Sequence, residues 1–128
     1  MKKAGTEAIK PIVYIVDDDM LVRRAIKRLI HSAGLEVETF ASAEEFLDCG
    51  FRDEQTCLIA DVKMPKLTGL DLQKKLIARG HNLPVIFITG FDAEEIREKV
   101  KKAGAVGYFS KPIDDQALLD TIKWALSK

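Results

Sequence analysis

Five times along this chain a short apolar run gives way to a longer segment whose apolar residues recur three and four positions apart. The runs cover residues 12–16, 35–40, 57–60, 84–89 and 106–109. They are short and rich in β-branched and aromatic residues, so they read as strands. The segments between them read as helices. Leu21, Val22, Ala25, Ile26, Leu29 and Ile30 form a stripe over 20–33, and Gly34 suits its C-terminal stop. Ser42 and Glu45 have the spacing of a capping box, opening a short helix to about Leu47. Leu72, Leu76 and Ile77 precede Gly80; Ala93, Ile96, Val100 and Ala103 precede Gly104. Leu118, Leu119, Ile122, Ala125 and Leu126 make the last face.

Alternating strands and helices, with strands apolar throughout, predict a parallel sheet covered on both faces. With right-handed crossovers the product is an open three-layer α/β sandwich. The run 35–40 interleaves Glu36 and Glu38 and belongs near a sheet edge; 84–89 is the most apolar and belongs at the centre. A chain of 128 residues suits one domain. We expect a flexible N-terminal segment over 1–10 and the domain over 11–128. In such sheets ligands bind beyond the carboxyl ends of the strands.

The polar residues fall at those ends. The first strand stops at Asp17, Asp18 and Asp19, the third at Asp61, the fourth at Thr89 and Gly90, and the fifth at Ser110, Lys111 and Pro112. Clustered carboxylates repel: two at ~4 Å cost about 4 kcal/mol at an effective dielectric near 20. A proton, a lysine or a metal must offset that. An all-oxygen set suits Mg²⁺, which keeps waters and binds phosphate. Lys111 can grip phosphate oxygens as a point charge, and Thr89 can donate a hydrogen bond to them. Together these are the parts of a phosphoryl-transfer site with Asp61 as nucleophile. Each residue also has a plain structural reading. Asp19 suits a helix N-cap. Asp61 before Pro65 and Gly69, two breakers in a loop, could serve a turn. Thr89 could simply end a strand, and Lys111 could be solvated. Three acids at one strand end exceed what one cap needs.

Charge and cysteine usage narrow the partners. Twenty basic residues balance twenty acidic ones, so this domain is not expected to bind nucleic acid by itself. Cys57 opens an apolar run and reads as core; Cys49 lies near a helix end, and neither sits in a metal-binding or redox motif. The polar start M-K-K-A-G-T-E-A is unlike a signal peptide, and no apolar run approaches the roughly 20 residues that cross a membrane. The expected location is cytoplasmic, with no membrane partner.

Taken together, I-V-D-D-D, I-A-D-V-K-M-P-K-L-T-G, I-F-I-T-G and Y-F-S-K-P resemble the receiver domain of two-component response regulators, the chemotaxis-regulator type. The likeness runs from about Ile12 to Leu126. It implies a flavodoxin-like (βα)5 fold with strand order 2-1-3-4-5. It implies a phosphoacceptor switch with self-catalysed phosphorylation and dephosphorylation, and not an enzyme acting on an external substrate. Asp61 would accept the phosphoryl group from a sensor histidine kinase or phosphotransfer protein. Asp18 would bind Mg²⁺ directly, Asp17 largely through water, and Asp61 and the Lys63 carbonyl would complete the protein's share. Lys111 would hold the phosphoryl oxygens, with Lys111–Pro112 in a cis peptide aiming it inward. Thr89 would move toward the phosphate and Tyr108 would turn inward, altering a surface over roughly 92–124. Tyr108 also reads as a half-buried strand aromatic. Lys63 and Phe91, two positions beyond Asp61 and Thr89, would tune dephosphorylation through water access. Arg23, Arg24, Lys27 and Arg28 on the first helix could steer an acidic donor, or be a solvated face. His31 suits the helix C-terminus.

F-A-S-A-E-E-F-L and I-T-G-F-D resemble receivers that precede a helix-turn-helix output domain, so a transcriptional output, attached or separate, is an expected partner. A phosphorylation-dependent homodimer is another. The chain stops just after the last helix, which suits a single-domain regulator or a piece of a longer protein. A rival reading is a haloacid-dehalogenase-type phosphatase with Asp17 as nucleophile in Asp17-x-Asp19. The short chain, the absence of a cap domain and the fifth-strand Lys-Pro favour the receiver. A receiver-like scaffold that is never phosphorylated would lack acids or lysine that are present here. No glycine-rich nucleotide loop follows the first strand.

Overall fold

The computed structural model describes residues 9–127. Most of the expected flexible segment, residues 1–8, lies outside the described residues. Ten elements alternate: β1 Ile12–Val16, α1 Met20–Ser32, β2 Glu36–Phe40, α2 Ala43–Asp48, β3 Thr56–Asp61, α3 Gly69–Ala78, β4 Val85–Thr89, α4 Glu94–Lys102, β5 Gly107–Ser110 and α5 Asp115–Leu126. The five strands form one parallel sheet in the order β2-β1-β3-β4-β5. This is the expected fold, with β2 at an edge.

The strand period of two divides the core. Tyr14, Val16, Leu58, Ala60 and Phe87 face one side, against Phe46 of α2, Leu72 and Leu76 of α3 and Val100 of α4. Val13, Ile15, Ile59, Ile86 and Ile88 face the other, against Ile26 and Ile30 of α1 and Leu118, Ile122 and Ala125 of α5. Fully burying one such side chain contributes about 1.5–3 kcal/mol. Cys57 is buried on the second side, and Cys49 is exposed at the end of α2.

Several details differ from the sequence reading. The middle strand is β3, and β4 is its neighbour. Apolarity reports cover on both faces, and β1, β3 and β4 are all buried along their length. The stripe on α1 is narrower than its spacing suggests, because Leu21 is 71% exposed and Ala25 is exposed too. Ile77 is 59% exposed on α3. At α2, Ser42 Oγ accepts the Glu45 N–H as expected, but Glu45 Oε1 accepts from the Ala41 N–H and not from Ser42. The complete capping box is at α3. There Thr68 Oγ1 accepts the Asp71 N–H and Asp71 Oδ2 accepts the Thr68 N–H. Gly69 is therefore the first residue of a helix and not a breaker.

Candidate acidic site at the strand ends

Sheet register assembles the site. Val16 pairs with Ala60, so the residues that follow them, Asp17 and Asp61, emerge side by side. Asp61 pairs with Ile88, which puts Thr89 one step further along the next strand. Thr89 pairs with Ser110, and the Lys111 N–H donates to the Thr89 carbonyl at 2.8 Å. The Lys111–Pro112 peptide is cis. Lys111 Nζ lies 3.0 Å from Asp17 Oδ2 and 3.4 Å from Asp61 Oδ2. Four residues from four strands thus meet although up to 94 positions separate them in the chain, from Asp17 to Lys111.

The acids differ in setting. Asp17 is fully buried and Asp61 is 5% exposed, whereas Asp18 is exposed. One carboxylate oxygen from each lies within 4.8 Å of the others. Asp17 Oδ1 accepts the Asp19 N–H at 2.8 Å, and its carbonyl accepts from Arg23 Nη1 at 2.7 Å. Asp17 Oδ2 is buried without an aligned hydrogen bond despite the nearby ammonium. Such an atom is costly unless a further positive group satisfies it. Asp19 stands apart as the N-cap of α1, accepting the Leu21 N–H. An all-oxygen set of three carboxylates, one of them with a buried oxygen that lacks an aligned hydrogen bond, fits a hard divalent cation that retains waters.

Burial pushes the Asp61 carboxyl up to about 6, the neighbouring Asp17 charge adds to this, and Lys111 opposes it. Burial alone would pull the Lys111 ammonium down. Its close ion pair with Asp17 and the two carboxylate charges outweigh that, and the net shift is upward. The lysine is thus held charged between two acids, as a group that offsets their repulsion must be.

The remaining predicted residues surround this centre. Lys63 donates its N–H to Asp61 Oδ1 at 3.3 Å, while its Nζ sits 5.1 Å from the centroid of the Phe91 ring. Thr89 is fully buried, and its hydroxyl is turned to the Phe91 backbone, donating to the carbonyl and accepting the N–H. Tyr108 is half-buried, and its hydroxyl donates to Asp92 Oδ1 at 2.9 Å. Burial and then this bond push its phenol up to about 12. On α1, Arg24, Lys27 and Arg28 are exposed, and Arg23 is the one that bonds into the site.

Two contributors were not singled out from the sequence. Gly69 packs against the Asp61 backbone: a Cβ there would stand 2.3 Å from the Asp61 carbonyl oxygen. Its only sequence signal was a glycine eight residues after the aspartate. Asp92 holds Tyr108, a pairing across 16 positions with no local signature.

Known proteins share the sequence pattern and the fold. The response regulator receiver domain model matches residues 13–123. Response regulator protein TodT of Pseudomonas putida is 44% identical over 115 residues, covering 90% of this chain and 51% of TodT. Transcriptional regulatory protein FixJ of Azorhizobium caulinodans is 37% identical over 116 residues, covering 91% and 55%. Among solved structures, the response regulator StyR superposes with a TM-score of 0.85 at 43% identity, covering 93% of this chain and 60% of StyR. FixJ-N gives 0.84 at 31% identity, covering 94% and 96%. The chain belongs to the response regulator receiver domain family. It spans about half the length of the curated relatives it matches. The phosphatase alternative is not supported. Its nucleophile, Asp17, is fully buried and already engaged by Asp19 and Lys111, out of reach of an external substrate.

Proposed function

We propose that this domain is the phosphoacceptor switch of a two-component phosphorelay. It takes a phosphoryl group from a histidine kinase or phosphotransfer protein onto Asp61 and passes the signal to a transcriptional output. The observation that carries this reading is the cluster of Asp17, Asp18 and Asp61 carboxylates within 4.8 Å, with the Lys111 ammonium against two of them. Asp17, Asp18, Asp61 and the Lys63 carbonyl would hold Mg²⁺. When bound, the ion supplies positive charge that offsets the carboxylates and the incoming phosphoryl oxygens.

The rest falls to the chain's own side chains. A carboxylate oxygen of Asp61 forms the new bond to phosphorus as the bond to the donor nitrogen breaks. Lys111 follows the phosphoryl oxygens electrostatically and leaves its contact with Asp61. Thr89 exchanges its Phe91 backbone bonds for a hydrogen bond to the phosphoryl group. Tyr108 leaves Asp92 and occupies the space that opens. The equilibrium shifts because only one state has Thr89 and Lys111 bonded to phosphate. α4, β5 and α5 form the surface read by an output domain or by a second copy of the chain. Asp61 stores a signal and does not turn over an external substrate. Its phosphorylation and hydrolysis are catalysed within the domain.

Incubation with acetyl phosphate and Mg²⁺, followed by mapping of the modified residue, tests the assignment. Labelling at Asp61, lost in Asp61→Asn and without Mg²⁺, is expected. Labelling at Asp17 that persists in Asp61→Asn sinks the proposal.

A further inference from the structure

Between α3 and α4 lies a groove of about 600 Å³. α3 offers it Leu70, Lys74 and Ile77, spaced i, i+4 and i+7, and α4 offers Ile96, Lys99 and Lys102, spaced i, i+3 and i+6. Each wall is therefore one continuous face of a helix. Leu70 and Ile96 are half-exposed, and Ile77 is 59% exposed although its neighbour Leu76 is buried. The Gln73 side-chain amide donates to the Ala103 carbonyl at 3.0 Å and ties the two walls together at the base.

The rim has a sign. Four lysines and one aspartate line the groove, although acidic and basic residues are equal in number over the whole chain. The aspartate, Asp71, caps α3. Lys74, Lys99 and Lys102 are exposed and make no ion pair within 4.0 Å among the described residues. An apolar floor between two helices with cationic rims is complementary to a third helix that has an apolar stripe and acidic flanks. An acidic flank also discriminates, because a basic helix would meet like charge on both sides.

We propose that the α3–α4 groove docks an acidic amphipathic helix of a partner protein. The helix lays its apolar stripe over Leu70, Ile77 and Ile96 and places carboxylates against Lys74, Lys99 and Lys102. This surface is separate from the α4-β5-α5 readout face, although both use α4. Its occupation bridges an element next to Asp61 and an element next to Thr89.

The test uses the isotope-labelled chain and a synthetic helical peptide with leucines at i, i+3, i+4 and i+7 and glutamates on both flanks. Saturable amide shifts confined to 70–77 and 96–103 are expected. Ile77→Ser and the double charge reversal Lys74→Glu/Lys102→Glu should each weaken binding about tenfold. These positions are exposed, so both variants should keep the parental fold and spectrum. Affinity should fall as salt rises. Shifts elsewhere, equal binding of a peptide with lysines in place of the glutamates, or binding unmoved by the charge reversal would overturn the proposal. Concentration-dependent self-association of the chain alone through these same residues would assign the groove to a second copy and overturn it too.

Discussion

Asp61 combines a buried carboxyl, an adjacent acid and a lysine, and its acidity follows from that setting. Its pKa in the folded state is raised to about 6 from an ordinary 3.8, burial being the largest cause. Between those values the folded chain holds a proton that the unfolded chain has lost. The contribution of Asp61 to stability therefore declines as pH rises from about 4 to about 6 and stays low above that. Asp61→Asn removes this loss. In metal-free buffer the variant should gain on the parent across that window, by an order of 1–2 kcal/mol above pH 6. Urea denaturation at several pH values measures it, and parallel curves would contradict the raised pKa. Asp18 carries the complementary prediction. It is exposed, so Asp18→Asn should leave the fold intact while weakening Mg²⁺ binding about tenfold or more, as titration calorimetry would read.

The helix starts and strand ends hold these residues in place. α3 begins one residue after its capping threonine, and its first residue lies against the Asp61 backbone. The Gly69 N–H also donates to the Val62 carbonyl at 3.1 Å, which fixes the return of the loop. Gly69→Ala must move backbone that cannot yield like a side-chain tip. A cost of about 1–3 kcal/mol is expected, with slower Asp61 labelling. A denaturation midpoint equal to the parent's would show that the approach is not needed. At the start of α4, Asp92 joins the Tyr108 hydroxyl and, at 3.4 Å, Arg97 Nη1. Asp92→Ala frees the phenol, so its titration should move down from about 12 toward an ordinary tyrosine value in an ultraviolet absorbance titration.

At the scale of the whole molecule, one parallel sheet carries the acidic cluster and Lys111 at one end of its strands. α1 and α5 cover one face; α2, α3 and α4 cover the other. On the proposed function, a phosphoryl analogue at Asp61 would draw on Thr89 and Lys111 at the ends of β4 and β5, the side of the sheet that α4 and α5 flank from opposite faces. Beryllofluoride with Mg²⁺ should raise the thermal midpoint, because it binds the folded state alone. If the readout is a dimer, sedimentation should show mass rising with beryllofluoride and unchanged without it. Unchanged mass in both would direct the readout to an output domain or another protein. Among the described residues no helix is long and apolar enough to cross a membrane.

Much of this was legible in one dimension. Local pattern located all ten elements to within a few residues: apolar runs marked the strands, a cap spacing marked α2, and helical periodicity marked the other helices, each of which is written locally. Asp17, Asp18, Asp61, Thr89 and Lys111 stood out because each follows an apolar run, and a parallel sheet sends such ends to one edge. Local pattern could not reveal which faces stay covered. Leu21 and Ile77 fit their stripes yet lie exposed, since cover depends on what packs opposite. Neither could it show that β3, and not the more apolar β4, is the middle strand, or that Glu45 caps Ala41. The distances at the site belong to tertiary structure alone. The 3.0 Å contact of Lys111 with the buried Asp17 Oδ2, the lack of an aligned hydrogen bond to that oxygen and the close fit of Gly69 on Asp61 all arise where separate strands and a helix start converge. Sequence determined which groups arrive at the edge. Only packing decided how near they stand, and electrostatic and steric energies depend on that separation.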